Sequence, residues 1–353
     1  MIDLDDAAVR RAADPSDMLG IVASSPTQIR EGYALGRAVD APPSIDGVRC
    51  VTYLGMGGSA VAGDVLRAAF RGGLHVPVEV NRHRELPAHV GPDTLVVACS
   101  YSGDTSETLA AFEAAADRRA RLLVVTSGGT LEARARETAA SVVRVPGGGQ
   151  PRGALGHLTF AMLGALEVAG LLPALGDEVD ETVSTLEAVF SEMGPDVPAP
   201  GNAAKDLAAW IGDRVAVIWG AEGLGAVAAM RWKTQLNENG KIPAWHSAMS
   251  ELDHNEVVGW VPPYGERHAI VALRQPGEHP EMAARFALSA PIAEASGAMV
   301  REVMARGDGP LARLFSLIVV GDLVSCFVGL RRGRDPTPVD VLVRLKAALA
   351  RPL

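Results

Sequence analysis

Short apolar runs alternate with stretches of helical pattern along most of this chain, and that alternation constrains the fold more than any other feature. Val51 to Leu54, Val76 to Val80, Thr94 to Cys99, Leu122 to Val125 and Val142 to Val145 are five such runs. Helical segments such as AVAGDVLRAAF, LAAFEAAADRR and TLEARARE lie between them. Strands of this length separated by 10–15-residue helices describe βαβ units, and their right-handed crossovers build a parallel, doubly wound sheet. A glycine-rich loop, GGGQPRG at 147–153, precedes helical stretches at about 155–170 and 176–192. The pattern breaks at GPDVPAPGN, residues 194–202, where Pro and Gly mark a linker, and then restarts. Val215 to Trp219 begins the second half, followed by Gly-Ala-Glu-Gly-Leu-Gly and a helix over about 226–236; Ala269 to Leu273 and Ala298 to Val303 are further strands.

A chain of 353 residues has room for two domains at roughly 100–200 residues each. We expect an N-terminal domain over 1–193, with a helical lead-in through residue 48, and a C-terminal domain over 202–353. The expected class is α/β: two doubly wound parallel-sheet domains, each a flavodoxin-like three-layer sandwich. Aromatic residues are scarce at 5%, and Ala, Val, Leu and Gly dominate, which suits helices packed on a parallel sheet better than a β-sandwich.

Composition also excludes partners. The formal net charge of -9 carries no basic footprint, so nucleic acid is not expected. An anionic ligand would have to be held by local donors against an unfavourable background. Cys50, Cys99 and Cys326 form no CxxC pair, are odd in number and sit in or beside apolar runs, as free thiols in a reducing compartment do; the expected location is the cytoplasm. The acidic, mixed start MIDLDDAAVRRAADPSDM lacks the apolar core of a signal peptide. Leu314 to Leu330, LFSLIVVGDLVSCFVGL, carries one charge, Asp322. A spanning helix wants about 20 apolar residues and tolerates a central Asp poorly, so a buried helix at a domain or subunit contact is expected, with no membrane partner.

The segment that speaks most directly of chemistry is Ser100-Tyr101-Ser102-Gly103-Asp104-Thr105-Ser106-Glu107-Thr108, after a buried strand and before a helix. Such a turn gathers hydroxyls and backbone N–H groups at a helix N-terminus, which carries about half a positive charge and binds phosphate. An N-cap alone would account for one or two hydroxyls, whereas Ser100, Ser102, Thr105, Ser106 and Thr108 supply five. Gly55-Met56-Gly57-Gly58-Ser59 follows the first strand. With Glu79 as a ribose ligand it resembles part of a dinucleotide fingerprint, but the third glycine is replaced by Ala60, and no nicotinamide cofactor is expected. The better reading makes Gly57 and Gly58 a backbone wall of the ligand pocket, with Ser59 donating to the ligand.

Arg152 lies in the Gly/Pro-rich loop, where its planar fork suits an oxyanion; the residue alone is equally compatible with a solvated surface arginine. A second polar cluster, RWKTQLNENGK (231–241) and ELDHNE (251–256), interrupts an otherwise Ala/Val/Leu-rich half and points to a cleft. Its residue types leave Glu238, Glu251 and Glu256 all open as a reacting carboxylate. The eight histidines show neither HxxxH nor HxH spacing, so no metal site is expected.

Taken in order, GMGGSA, SYSGDTSET, PRGALG, RWKTQLNENGKIPA and ELDHNEVVGW resemble the bifunctional phosphoglucose/phosphomannose isomerases of the SIS superfamily, and DPTPVDVLVRLKAAL resembles that family's terminal helix. The resemblance implies two SIS-type domains and an aldose–ketose isomerase acting on a hexose 6-phosphate without a cofactor. It implies that Ser59, Ser100, Ser102 and Thr105 hold the phosphate, that Glu238 is the base, and that Arg152 and Lys346 steady the negative intermediate. It further implies that His254 opens the sugar ring from the other subunit of a homodimer. Thr337 is a candidate for the slack that would let both aldoses share one site. Asp253 stands where Asn is usual before the His, and Gly153 where Ala is common. A non-catalytic sugar-phosphate-binding regulator and an aminosugar-phosphate isomerase on the same scaffold are the competing readings.

Overall fold

A computed structural model describes residues 2–349, apart from the side chains of residues 346, 347 and 349. Three helices lead in: α1 (Ala7–Ala13), α2 (Met18–Ala23) and α3 (Ser25–Arg37). Strands β1 (Cys50–Leu54), β2 (Val78–Asn81), β3 (Thr94–Ser100), β4 (Arg121–Thr126) and β5 (Ser141–Arg144) form the first sheet, in the order β2-β1-β3-β4-β5. Every pairing in it is parallel. With this sheet run α4 (Gly57–Ala69), α5 (Ser106–Asp117), α6 (Gly129–Glu137), α7 (Leu155–Val168) and α8 (Gly176–Met193).

Residues 194–202 lead to α9 (Ala203–Ile211) and a second parallel sheet. Strands β6 (Val215–Gly220), β7 (Ala244–Ala248), β8 (His268–Arg274) and β9 (Met299–Met304) lie in the order β7-β6-β8-β9. The accompanying helices are α10 (Leu224–Glu238), α11 (Met249–Leu252), α12 (Pro280–Ala295), α13 (Pro310–Arg331) and α14 (Asp340–Leu349).

Side-chain alternation along the strands assigns the layers. Val97, Cys99, Leu123 and Val125 enter one central core, which is continuous with Ile218, Ala269 and Val271 of the second sheet. Val96, Ala98 and Val124 point the other way, onto Phe112 of α5 and Leu131 of α6. Val217, Trp219 and Ile270 likewise face Phe286 of α12. Each sheet is therefore covered on both faces, as a parallel sheet must be.

The apolar run at 314–330 is the centre of this arrangement. It forms most of α13, which is long and apolar enough to cross a membrane by composition, yet 94% of its most apolar window is buried inside the fold. Glycines let α13 press against α10. A Cβ on Gly321 would fall 2.4 Å from Trp232 Nε1, and one on Gly329 would fall 2.5 Å from the Asn239 carbonyl oxygen. The Trp232 indole is fixed there by donating to the Leu317 carbonyl at 2.7 Å.

Strand β7 was not legible as a run of apolar residues. It is an edge strand reading AWHSA, with Trp245 55% exposed, so no buried face imposes a hydrophobic pattern. Strand β2 begins at Val78 rather than Val76, because Pro77 has no N–H for the ladder and contributes only its carbonyl, to Val51.

Candidate active site

In a sheet of order 2-1-3-4-5 the connections leave β1 and β3 in opposite directions, opening a crevice at their carboxyl ends. The GMGGS turn leaves β1 and the SYSGDTS turn leaves β3, so both border this crevice. Tyr101 knits the surrounding loops together. Its N–H donates to Ser59 Oγ at 3.2 Å, its carbonyl accepts from Ser127 Oγ at 2.6 Å, and its hydroxyl accepts from the Gly149 N–H at 3.1 Å. Nothing in the sequence pattern singled out Tyr101 for this task.

The predicted hydroxyls occupy different stations. Ser100 is buried, accepts from the Gly103 N–H at 3.1 Å and donates to Thr105 Oγ1 at 3.1 Å. Exposed Ser102 accepts from the Asp104 N–H at 3.3 Å. Thr105 occupies the N-cap position of α5, but its side chain makes no capping hydrogen bond. The positive end of that helix is therefore not consumed by its own cap, which is what an anion cradle requires. Gly103 has φ +74, and a Cβ there would lie 1.9 Å from the Gly128 carbonyl oxygen, so only glycine closes this turn. Gly57 has φ +51 with open space around it, while Gly58 abuts the backbone of Arg152.

Arg152 is 4% exposed, in a short 3-10 turn at Pro151–Gly153. Its Nε donates to Asn239 Oδ1 at 2.7 Å, and its Nη2 donates to the carbonyls of Thr337 and Pro336 at 2.7 and 3.0 Å. A guanidinium has five N–H groups, and these contacts use three. Among the described residues the two on Nη1 are left with long contacts only: Gln150 Oε1 at 3.4 Å and Glu238 Oε2 at 3.6 Å. Nη1 is thus the corner available to a ligand. Burial pulls the Arg152 pKa down and the Glu238 carboxylate opposes it; a guanidinium stays charged regardless.

Glu238 ends α10, its side chain 30% exposed beside Arg152. The sequence left Glu251 and Glu256 equally open, and the structure engages both elsewhere. Glu251 accepts from Asn255 Nδ2 at 2.6 Å, whereas Glu256 accepts from Trp219 Nε1 at 3.2 Å and from the Ser247 hydroxyl. Lys241 ties the same corner down by donating to the carbonyls of Glu238, Pro336 and Pro338. Its pKa is lowered by burial and then by the positive charge of Arg152.

Other predicted residues do not join this group within one chain. His254 is exposed after α11, and among the described residues its side chain makes no hydrogen bond or ion pair. The neighbouring Asp253 carboxylate is occupied by Arg285 at 2.9 Å and Ser289 at 2.7 Å. Lys346 falls on α14, and its side chain lies outside the described residues. Thr337 contributes its carbonyl to Arg152, while its hydroxyl is buried without a partner. Glu79, considered for a ribose, instead faces His89 Nε2 at 3.4 Å. Among the described residues no group of three or more His, Cys, Asp or Glu is arranged to hold a metal ion.

Known protein families match both halves of the chain. Residues 47–144 match the SIS domain family, and residues 201–349 match the bacterial phospho-glucose isomerase C-terminal SIS domain. A bifunctional phosphoglucose/phosphomannose isomerase from Caldicellulosiruptor bescii is 36% identical over 94% of this chain and 99% of its own length. The Aquifex aeolicus protein of the same name is 32% identical over 85% of this chain and 90% of its own. Among solved structures, a glucose-6-phosphate isomerase like protein from Thermus thermophilus superposes with a TM-score of 0.63 at 21% identity, covering 98% of this chain and 99% of that one. The C-terminal domain of glucosamine-fructose-6-phosphate aminotransferase from Francisella tularensis superposes with a TM-score of 0.68 at 17% identity, covering 91% and 98%. The chain belongs to the bifunctional phosphoglucose/phosphomannose isomerase family.

Proposed function

We propose that the chain is an aldose–ketose isomerase that interconverts glucose 6-phosphate and mannose 6-phosphate with fructose 6-phosphate through a cis-enediolate. The observation that carries this reading is the approach of Arg152 Nη1 and Glu238 to 3.6 Å, next to the crevice bordered by the hydroxyl turn. The two aldoses differ only in configuration at C2 and share one enediolate with the ketose. In this reading Ser59, Ser100, Ser102 and Thr105 hold the phosphate with the N-terminus of α5. Glu238 moves the proton between C1 and C2. Arg152, joined by Lys346, meets the charge that develops on the oxygens. We keep 1–193 and 202–353 as the proposed domains, the division being supported by one sheet in each span. Purified protein is expected to interconvert fructose 6-phosphate with both aldoses in a coupled assay, in EDTA and without added metal. Inactivity on both pairs would sink the reading; turnover of amino-sugar phosphates alone would replace it with the aminosugar alternative, and ligand binding without turnover with the regulatory one.

Thr105→Val tests the phosphate grip. The substitution keeps the shape and removes a hydroxyl whose bond to a charged ligand is worth about 1.5–3 kcal/mol, so KM should rise about tenfold or more. Because the phosphate is remote from the reacting carbons, kcat should change little. A fall in kcat at constant KM would contradict this role.

The working form is proposed to be a homodimer in which His254 enters the neighbouring subunit's site to open the sugar ring. Support comes from the exposure of His254 and of an apolar set on the same stretch: Val258 at 76%, Tyr264 at 70% and Val261 at 47%. Such a surface is costly to leave in water. Mixing inactive Glu238→Gln and His254→Ala subunits should restore about a quarter of wild-type activity, because half the dimers are then mixed and one site in each is complete. No recovery after subunit exchange would rule out the shared site. A cytoplasmic location is also proposed, supported by three unpaired cysteines.

A further inference from the structure

Two of the buried polar groups of α13, Asp322 and Ser325, are not used by the proposed chemistry, and both lead to Arg152. Asp322 binds Arg231 of α10 through two contacts, Nε to Oδ1 at 3.1 Å and Nη2 to Oδ2 at 2.8 Å. Arg231 Nη2 also donates to the backbone carbonyl of Arg152 at 2.6 Å. One turn along α13, the Ser325 hydroxyl donates to the Asp322 carbonyl at 2.7 Å, which spends its single proton. Towards Asn239 it must therefore accept, and it receives Nδ2 at 3.1 Å. That fixes which way the Asn239 amide faces: Nδ2 to Ser325 and Oδ1 to Arg152 Nε, at 2.7 Å. Asn239, Ser325 and Arg231 are at most 1% exposed, so water does not compete for these bonds. The close approach at Gly321 and Gly329 is what brings the two helices within reach.

We propose that Ser325 and Asp322 are positioning residues for the isomerisation, bracing Arg152 by two hydrogen-bonded limbs so that its Nη1 corner is aimed at the developing oxyanion. One limb fixes the side chain through Asn239, and the other fixes the backbone through Arg231. Neither residue touches substrate, and the inference rests on the reading of Arg152 given above. Asp322 and Ser325 are on this account retained for orientation. A purely apolar helix at this place would satisfy the core but leave Asn239 Nδ2 buried without its acceptor, so that the amide would be held from one side only, by Arg152 Nε.

Ser325→Ala removes the acceptor that orients Asn239 without creating a buried charge. It is expected to lower kcat about tenfold with KM within about twofold, the low end of the roughly 10–100-fold cost of removing the hydrogen-bond partner behind a metal-ligating side chain, taken here as the analogue. Ser325→Thr, which keeps the hydroxyl, should recover most of the loss. In an Arg152→Lys background, which lacks Nε, Ser325→Ala should cost nothing further, because coupled residues are non-additive. For the second limb, Asp322→Asn strands Arg231 as a buried unpaired charge and hinders folding. The paired change Arg231→Met with Asp322→Leu removes both charges and should also lower kcat while the chain folds. Wild-type kcat in Ser325→Ala, or the same fold-loss in both backgrounds, would overturn the brace while leaving the Arg152 reading intact. Wild-type kcat in Arg152→Lys would overturn both.

Discussion

Glu238→Gln should lower kcat for both aldose–ketose pairs by about 10²–10⁴-fold, the range a positioned general base contributes, while KM stays within a few-fold. The amide is isosteric with the carboxylate and cannot take the proton from C1 or C2. The side chain is 30% exposed and its contact with Arg152 is long, at 3.6 Å. The amide can still face Arg152, whose guanidinium keeps its bonds to Asn239, Thr337 and Pro336, so the variant should fold with a modest fall in melting temperature. A coupled assay in both directions, with circular dichroism to confirm the fold, checks the result. Equal losses for glucose 6-phosphate and mannose 6-phosphate are expected, because in the proposed mechanism one carboxylate serves the shared enediolate. A variant that kept more than a tenth of wild-type kcat would remove Glu238 from the chemistry. Glu251→Gln would then be the next to examine, since among the described residues its carboxylate bonds only to the exposed Asn255 amide nearby.

The sequence carried the sheet strands unevenly, for a physical reason. β3 and β4 are buried on both faces and read as unbroken apolar runs, so they were found to within a residue. β7 lies at an edge with its second, third and later residues partly or wholly in water, and no run of side chains announces it. The run 314–330 was readable as a buried helix because its one charge, Asp322, argued against lipid, but the partner that neutralises Asp322 was not readable. Arg231 lies 91 residues away, in a stretch that looked like a polar cleft. The candidate site shows the same division. The hydroxyl turn is local, and its residue types advertise an anion cradle. Arg152 was ambiguous because its environment is made by residues 87 and 185 positions distant, Asn239 and Thr337, and only their convergence distinguishes a buried fork from a surface arginine. The choice among Glu238, Glu251 and Glu256 was open for the same reason: composition cannot say which carboxylate faces Arg152 and which is occupied by Trp219.

Arg152→Lys should lower kcat/KM by about 10²–10³-fold, the cost of losing one preorganised donor at an oxyanion, equivalent to about 2.7–4 kcal/mol of transition-state stabilisation. The charge is conserved, so the prediction turns on geometry. Arg152 spends three N–H groups on Asn239, Thr337 and Pro336, and in the proposed mechanism Nη1 meets the ligand. An ammonium has three donors on one atom and no fork, so it can sit with the carbonyls of residues 336 and 337 or face the substrate, but not both. The segment it leaves should nevertheless stay in place, because Lys241 independently donates to Pro336 at 3.0 Å and to Pro338 at 2.5 Å. The loss should therefore appear in turnover with a modest fall in stability, about 1.5–3 kcal/mol for each hydrogen bond to a charged group that is not replaced. If the lysine variant turned over within about threefold of wild type, positive charge alone would suffice at this position, and the fork held by Asn239 would have no part in stabilising the enediolate.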